Sequence, residues 1–347
     1  MIKYIKAAEI IDFPSLPVID VRTPAEYAIG HIPGAVNLPI FSDKEREAVG
    51  TRYHNAGKDA GFLLGLELVG PKLAGFVKKL NALSPSHSPV ILYCWRGGMR
   101  SESMAWLFEH AGRDTIVITG GYKAFRSYIR EVISTRYNFI VVGGMTGAGK
   151  TEYLHELRLK GEQVIDLEGL ANHKGSVFGH MGLGEQPTNE TFENMLWHEL
   201  QQMDPDRVIY IEDESRSIGK VSIPEEFYRK MLDSPLQMLD TRVDVRVERL
   251  LREYGSFDKE LLISNIDKLS KYIGGENHAR AVEAVESGKL ELAVRILLTY
   301  YDKKYSAAIS RQHSAVSDQQ SAVSDQQSAI SSQHSAISNQ QSALSSQ

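Results

Sequence analysis

The sequence contains a single cysteine, Cys94, in 347 residues. One cysteine excludes an internal disulfide framework and a zinc site built from several thiolates. It directs attention instead to thiol chemistry in a reducing compartment. Charged residues make up 24% of the chain and hydrophobic residues 42%, so the composition as a whole fits neither a disordered nor a membrane-spanning chain.

Long hydrophobic runs are also missing. No uninterrupted apolar run approaches 18 residues, and the segment from Met1 to Lys6 is too short and too polar for a secretion signal. We therefore expect a protein of the cytoplasm with no membrane partner. The length predicts two domains and leaves room for a tail.

A strong excess of charge of one sign is absent as well. The formal net charge is −5; residues 1–135 hold 16 basic and 13 acidic side chains, whereas residues 136–305 hold 22 and 29. The first half lacks the positive stripe of a dedicated nucleic-acid-binding protein. Charge therefore neither requires nor excludes an RNA partner.

Short apolar segments alternate with helical patterns through residues 1–305. The alternation predicts an α/β fold with largely parallel, buried strands, in two domains over 1–135 and 136–305. The predicted strands are Val18–Val21, Val90–Tyr93, Thr115–Ile118, Phe139–Val142, Val164–Leu167 and Val208–Ile211. The predicted helices are Arg100–His110, Thr151–Lys160, Thr191–Met203 and Leu290–Tyr301.

Residues 306–347 consist of near-identical seven-residue units of Ser, Gln and small residues. Each unit has too few apolar residues for the seam of a coiled coil. Such a segment cannot bury enough apolar surface to offset the entropy of ordering. We expect a disordered low-complexity tail and assign it no function.

The only cysteine lies in a glycine-rich loop, Cys94-Trp95-Arg96-Gly97-Gly98-Met99-Arg100-Ser101, between a predicted strand and a predicted helix. Backbone N–H groups converge at such a position, and the positive end of the helix stabilises a thiolate. The guanidinium groups of Arg96 and Arg100 lower the pKa of the thiol further. The pattern predicts a reactive Cys94 rather than a buried structural one.

Upstream, Asp20 and Arg22 end a predicted strand, and Glu26 falls in the first turn of a helix that starts at Thr23-Pro24. These charges are expected to form structural pairs that brace a neighbouring loop rather than to contact substrate. Phe41 to Leu80 form an insertion in which Lys44, Arg46, Arg52 and Lys58 are available for phosphates. A solvated structural insert is the favoured interpretation of this segment.

The run from Asp20 to Ala35 and the Cys94 loop together resemble a rhodanese domain over about residues 10–135. In that family the cysteine carries a transferable sulfur as a persulfide. Cys94 and Arg100 also form C-x5-R, the signature of cysteine phosphatases, some of which share this fold. Tyr93 stands where those phosphatases usually have histidine, and no downstream acid is apparent that could protonate a leaving group.

The second half contains Gly144-x4-Gly149-Lys150-Thr151, a phosphate-binding loop between a strand and a helix. Its glycines let backbone N–H groups face a phosphate, Lys150 supplies a positive charge, and the Thr151 hydroxyl can reach Mg²⁺. The residues expected to bind phosphate are Gly144, Gly147, Gly149, Lys150 and Thr151.

Carboxylates follow two later strands of this half. Glu212 and Asp213 are the leading candidates for the metal side of the phosphate site, and Asp166 with Glu168 is the alternative pair. Each is equally suited to a structural cap or ion pair. The predicted supporting acids are Asp20, Asp166, Glu212 and Asp213. The sequence leaves the need for a metal open, with Thr151 and Glu212 as the candidate ligands of Mg²⁺.

Three sequence segments make the family resemblance more specific. They are the Cys94–Ser101 loop, residues 166–176 (DLEGLANHKGS) and residues 212–219 (EDESRSIG). Together they resemble the tRNA 2-selenouridine synthase family, over residues 1 to about 305. The resemblance implies replacement of sulfur by selenium in wobble 2-thiouridine of tRNA, with selenophosphate as donor and a geranylated thiouridine as intermediate.

Carried onto this sequence, the resemblance implies that Cys94 holds selenium as a selenyl sulfide. Arg96, Gly97, Gly98 and Arg100 would then cradle selenophosphate. The phosphate loop would take the diphosphate of geranyl diphosphate, whereas its fold alone suggests ATP. The implied partners are a tRNA carrying 2-thiouridine and, optionally, an enzyme that supplies selenophosphate. No tightly bound cofactor is expected.

Two alternatives stay open at this point. The first is a phosphate-loop NTPase coupled to a rhodanese-fold sulfurtransferase or C-x5-R phosphatase module, which would turn over nucleotide without tRNA. The second is a non-catalytic tRNA-binding regulator, whose activity would survive Cys94→Ala.

Overall fold

The computed structural model describes residues 2–84, 88–135 and 137–307. They pack as two compact units. The first combines the residues up to 139 with residues 157–228, and the second combines residues 140–156 with the residues from 229 onwards. Of the predicted tail, only residues 306 and 307 are described, at the end of a helix over 290–307, and residues 308–347 lie outside the described part of the chain.

A five-stranded parallel sheet, with strand order β1-β5-β4-β2-β3, organises the N-terminal part of the first unit. All side chains of β4 and β5 are buried, as is typical of central parallel strands. The predicted bounds of these two strands are confirmed. The strands are β1 (Lys3–Ile5), β2 (Val18–Asp20), β3 (Val36–Asn37), β4 (Val90–Tyr93) and β5 (Thr115–Ile118).

Five α-helices accompany this sheet. The predicted start of the first is confirmed: the Thr23 hydroxyl accepts the N–H of Glu26, and the Glu26 carboxylate accepts the N–H of Thr23. The helices are α1 (Pro24–Ile29), α2 (Asp43–Val69), α3 (Leu73–Leu83), α4 (Met99–His110) and α5 (Gly121–Thr135). Cys94 lies within the hydrophobic core that α3, α4 and β4 share.

The other strands and helices follow α5 in the sequence. In chain order they are β6 (Asn138–Gly144), α6 (Lys150–Leu159), β7 (Gln163–Ile165), α7 (Leu167–Ala171), α8 (Asn189–Gln201), β8 (Val208–Glu212), β9 (Ser217–Ile218), β10 (Val221–Ser222), α9 (Glu225–Leu232), β11 (Leu236–Leu239), α10 (Val243–Tyr254), α11 (Lys259–Asp267), α12 (Ser270–Ile273) and α13 (Gly275–Glu286). Within the first unit β7 and β8 pair in parallel, and within the second β6 and β11 do so.

A buried polar seam between α5 and α8 explains why residues 157–228 pack with the N-terminal sheet. The Arg126 guanidinium pairs with Glu193 at 2.5 Å, and both side chains are largely buried. The Asn194 amide donates to the carbonyl of His31 at 2.7 Å and to the Tyr122 hydroxyl at 2.8 Å. Buried groups that satisfy one another in this way hold α8 in one position.

By length and composition alone, one helical segment could cross a membrane. It runs from Asp43 to Leu83, and 17% of its most apolar 18-residue window is buried. The segment is interrupted at Gly57, whose φ of +86° and ψ of 177° are not helical.

Candidate active site

Cys94 follows β4 and lies at the N-terminus of α4. Its side chain is buried, with 4% of the residue exposed. The Ser101 hydroxyl, on the first turn of α4, lies 3.3 Å from the sulfur and can donate a hydrogen bond to it. The strand and the helix therefore hold the thiol in one place.

The pKa of the Cys94 thiol is lowered. Burial acts to raise it, but hydrogen bonds from the Ser101 hydroxyl and from the backbone N–H groups of Ser101 and Arg96 outweigh that effect. The positive charge of Arg100 lowers the pKa further. These are the conditions under which a cysteine acts as a nucleophile near neutral pH.

The N-terminus of α5 forms hydrogen bonds with the backbone of the cysteine loop. The backbone N–H of Tyr122 donates to the carbonyl of Cys94 at 2.9 Å, and that of Lys123 donates to the carbonyl of Trp95 at 3.0 Å. Because both carbonyls accept hydrogen bonds from α5, the orientation of the loop is fixed before a ligand binds.

The cysteine loop and the start of α5 approach each other closely because both contain glycines. A Cβ atom on Gly121, whose φ is +58°, would lie 2.2 Å from the carbonyl oxygen of Cys94, and one on Gly97 would lie 2.4 Å from that of Ile118. Gly98 differs, because a Cβ there would meet nothing within 4 Å. The sequence predicted Gly97 but missed Gly120–Gly121, although a glycine pair directly after a buried strand was a visible signal.

The two arginines of the loop differ in their surroundings. Arg100 forms two hydrogen bonds to the Glu26 carboxylate, at 2.6 and 3.2 Å, and is mostly buried. Arg96 is exposed, and within the described part of the chain it has no ion pair. Arg96 is therefore the more accessible of the two guanidinium groups, whereas Arg100 is held by Glu26.

Asp20 and Arg22 form a fully buried ion pair, with Nη2 and Oδ2 2.6 Å apart. Arg22 also donates to the carbonyl of Gly30 at 2.7 Å, and its guanidinium lies 4.0 Å from the centre of the Tyr122 ring. Since Tyr122 supports the cysteine loop, this pair braces the loop from within the fold. The predicted structural pair of Asp20 and Arg22 is present, and the role of Asp20 as a supporting acid of the site stays a prediction.

The phosphate loop lies in the second unit, between β6 and α6. Gly147 and Gly149 have φ angles of +78° and +91°, which glycine adopts without strain. Side chains from α10 and the residues before it bind the loop carbonyls: Arg246 binds that of Thr146 at 2.9 Å, Arg249 that of Gly147 at 2.6 Å and Thr241 that of Ala148 at 3.0 Å. The sequence analysis missed all three.

Two further contacts fix this loop. The Tyr305 hydroxyl, on the helix over 290–307, accepts the N–H of Gly144 at 2.8 Å. Arg246, 2% exposed, also pairs with Asp302 of the same helix at 2.5 Å. Lys150 and Thr151 open α6, as predicted from the loop pattern. The loop backbone is thus held by its own unit before a ligand binds.

The acids predicted for the metal side occupy the first unit. Asp166 caps α7 by accepting the N–H of Gly169 at 2.6 Å, and Glu212, at the end of β8, accepts the N–H of Leu167 at 2.8 Å. Burial and the charge of Asp166 raise the pKa of Glu212 well above its usual range. Asp213 follows directly and is half-buried.

The predicted Mg²⁺ pair, Thr151 and Glu212, is divided between the two units and stays a prediction. In the described ranges, no three His, Cys, Asp or Glu side chains are grouped as metal ligands would be. Glu212 makes a strand-to-helix hydrogen bond, and Asp166 caps a helix. Both roles match the structural alternative that the sequence analysis gave for these acids.

The strings at 166–176 and 212–219 come together around His173. A Cβ on Gly219 would lie 2.7 Å from the imidazole, and one on Gly175 would lie 2.6 Å from the Glu214 carboxylate. His173 is 7% exposed, and its Nδ1 is buried without a hydrogen-bond partner among the described residues. Burial lowers its pKa, and the charge of His180 adds to this. The sequence analysis used these strings for recognition and did not single out His173.

A cysteine loop on a rhodanese-type sheet, followed by a phosphate loop, defines the class of this protein. Residues 5–128 match the model of the rhodanese-like domain family, and residues 137–268 match that of the tRNA 2-selenouridine synthase AAA domain. The predicted fold class, a rhodanese-like domain followed by a P-loop-like α/β domain, is confirmed.

Three relatives resemble most of the chain. The tRNA 2-selenouridine synthases of Bordetella petrii and Pseudomonas fluorescens are 37% and 38% identical to it, over 84% and 83% of this chain and 86% and 87% of theirs. That of Bdellovibrio bacteriovorus is 41% identical over 73% of this chain and 67% of its own. The chain belongs to the tRNA 2-selenouridine synthase family.

Proposed function

We propose that this chain replaces the sulfur of wobble 2-thiouridine in tRNA by selenium, with selenophosphate as donor and an S-geranylated nucleoside as intermediate. The observation that carries the proposal is the buried Cys94 thiol of lowered pKa beside the exposed Arg96. Family membership supports the choice of tRNA and of selenium.

The first half-reaction is geranyl transfer. The sulfur of 2-thiouridine attacks C1 of geranyl diphosphate, a sulfur–carbon bond forms, and diphosphate leaves with the electron pair of the broken carbon–oxygen bond. The N3 proton of the base is released to the diphosphate or to water. Gly144, Gly147, Gly149, Lys150 and Thr151 hold that diphosphate through backbone N–H groups and the lysine charge. Mg²⁺, when bound, neutralises part of the diphosphate charge.

The second half-reaction is selenation. Alkylated sulfur is a better leaving group than the thiocarbonyl, so selenide attack at C2 forms the carbon–selenium bond and expels geranylthiolate with the electron pair. Arg96 and the N–H groups around Gly97 and Gly98 hold the phosphate of the selenium donor near Cys94. Arg100 contributes through its charge and its bond to Glu26.

Cys94 is proposed as the selenium carrier. Selenium in a selenyl sulfide is two electrons more oxidised than selenium in selenophosphate. At loading, the Cys94 sulfur bonds to selenium, water cleaves the selenium–phosphorus bond and releases phosphate, and a disulfide accepts the two electrons and becomes two thiols. A thiol later attacks the Cys94 sulfur, which forms a mixed disulfide and releases selenide. Intact-protein mass spectrometry after incubation with selenophosphate and glutathione disulfide, before and after a thiol reductant, tests this step: a reducible selenium adduct absent from Cys94→Ala supports it, and a wild-type protein that stays unloaded while making product overturns it.

Nucleoside mass spectrometry tests the function as a whole. Incubation of 2-thiouridine-containing tRNA with protein, geranyl diphosphate and selenophosphate is expected to yield 2-selenouridine. Cys94→Ala is expected to stop at the geranylated or thiolated nucleoside. An unchanged nucleoside profile with the wild type would reject the proposal and favour the phosphate-loop NTPase with a sulfur-relay or phosphatase module.

Lys150→Ala tests the ligand of the phosphate loop. Loss of the lysine charge is expected to abolish geranyl transfer while leaving selenation of a pre-geranylated tRNA in place. Lys160→Ala, an exposed lysine just after the same helix, is the matched control. Full geranyl transfer by Lys150→Ala would overturn the assignment of geranyl diphosphate to this loop.

A further inference from the structure

The insertion at Phe41 to Leu80 contains a helical hairpin, defined here as residues 43–69. Residues 53 and 61 would be about 12 Å apart along one straight helix. A Cβ on Gly61 would instead lie 2.8 Å from the Cβ of Tyr53. The chain therefore turns back at Gly57, whose φ is +86°, and the two arms touch where Gly61 has no side chain.

The base of the hairpin is fixed beside the cysteine loop. The Asp43 carboxylate accepts the N–H of Ala25 at 3.1 Å, and the next residue, Glu26, binds Arg100 of the cysteine loop. The Lys72 ammonium, just after the hairpin, binds the carboxylate of Glu45, at the start of the hairpin, at 2.6 Å. This contact joins the two ends of the hairpin. The base of the hairpin is therefore held close to the cysteine loop.

The tip of the hairpin is defined as residues 51–59, which lie beyond Val49, where the first arm packs against the core of the N-terminal sheet. All residues from 51 to 59 are exposed, so this helical stretch buries no face against a core. The tip contains Arg52, His54 and Lys58 and one acidic residue, Asp59. Tyr53, beside Arg52, is 55% exposed.

We propose that the hairpin tip is a docking surface for the anticodon arm of tRNA, an inference that rests on the proposed function. A surface with more basic than acidic side chains complements the phosphate backbone, and exposed Tyr and His side chains stack on unpaired bases. The first arm, of 14 residues, is about 20 Å long, which suits it to reach along a nucleic-acid stem while its base stays near the cysteine loop.

The test is equilibrium binding of 2-thiouridine-containing tRNA to the full chain. The double variant Arg52→Glu/Lys58→Glu is expected to bind at least tenfold more weakly, with a flatter dependence of affinity on salt. Tyr53→Ala is expected to weaken binding about tenfold, because base–aromatic stacking is lost. The matched control is Lys78→Glu/Lys79→Glu, two exposed lysines of α3 in the same insertion.

Folding and site integrity are checked separately. The rate of Cys94 alkylation by iodoacetamide is expected to be unchanged in the tip variants, since the tip does not contact the thiol. If the charge-reversed protein fails to fold, Arg52→Gln/Lys58→Gln replaces it, with the same expected direction. In turnover, the tip variants are expected to raise KM for tRNA with little change in kcat.

Two outcomes overturn the inference. The first is wild-type affinity for tRNA in both tip variants while the wild type makes 2-selenouridine. The second is an Arg52→Glu/Lys58→Glu variant that no longer binds phosphatidylglycerol vesicles but still binds tRNA. That result would assign the tip to a membrane surface. Absence of selenation by the wild type would reject the proposed function alone, because tRNA affinity and its dependence on the tip are measured without turnover.

Discussion

Glu26 and Arg100 form a two-point ion pair, with oxygen–nitrogen distances of 2.6 and 3.2 Å, between the first turn of α1 and the first turn of α4. Glu26 also closes the capping box of α1 with Thr23. One carboxylate therefore fixes the start of two helices. Because Arg100 contributes to the low pKa of Cys94, the same pair sets where that positive charge lies relative to the thiol.

We expect Glu26→Gln to lower the free energy of unfolding by about 1 to 2 kcal/mol at neutral pH. Burial acts against the Glu26 charge, but Arg100 outweighs it and lowers the pKa of Glu26. A lowered folded-state pKa adds stability above the unfolded pKa of about 4.5, and this stability is lost as the pH falls through the folded value. Urea denaturation across pH should thus show the variant and wild type converging in acid; a pH-independent difference would contradict this.

Ser101→Ala is expected to raise the pKa of Cys94, because the hydroxyl bond that stabilises the thiolate is lost while burial remains. The rate of iodoacetamide alkylation as a function of pH measures the change, and its midpoint should move to higher pH. Ser103→Ala is the control, since Ser103 lies on the same helix and is exposed. Identical midpoints for Ser101→Ala and wild type would show that the hydroxyl does not bind the thiolate.

Strong local signals allowed much of the fold to be predicted. Val90–Tyr93 and Thr115–Ile118 are short runs rich in β-branched residues, and Thr23-Pro24 with Glu26 is a complete helix-start pattern. Their positions therefore depend on neighbouring residues alone. Strands β1 and β3, of three and two residues, are too short for any periodicity to mark. The early end of β7 follows from Asp166, which begins α7 as its cap.

The candidate site was predictable where one loop carries it and not where distant segments meet. Cys94, Gly97 and Arg100 are close in sequence, so their spacing already indicated an anion site. The partners of that loop, Glu26 and Gly121, approach it only through the tertiary fold. The same holds for the phosphate loop, whose carbonyls are bound by residues about 100 positions away.

Glu212→Gln is expected to become more stable relative to the wild type as the pH rises. Burial, followed by the charge of Asp166, raises the pKa of Glu212 well above the usual range. A carboxyl with a raised folded-state pKa contributes stability below its unfolded pKa, and this contribution is lost as the pH rises through the folded value. The neutral amide can still accept the N–H of Leu167 and does not ionise. Thermal unfolding of both proteins at pH 5, 7 and 9 checks this; a constant difference would mean that Glu212 is already ionised at pH 5.

Tyr305→Phe is expected to destabilise the second unit by about 1 kcal/mol, because the Gly144 N–H loses its acceptor while the ring remains. Hydrogen exchange should accelerate at residues 143–149 before it does so in the rest of the unit, since the hydroxyl binds the first glycine of the phosphate loop. Tyr300→Phe is the matched control on the same helix, because within the described residues the Tyr300 hydroxyl makes no hydrogen bond. Equal protection of the loop in both variants would show that Tyr305 packs through its ring alone and that the hydroxyl contributes nothing to the loop.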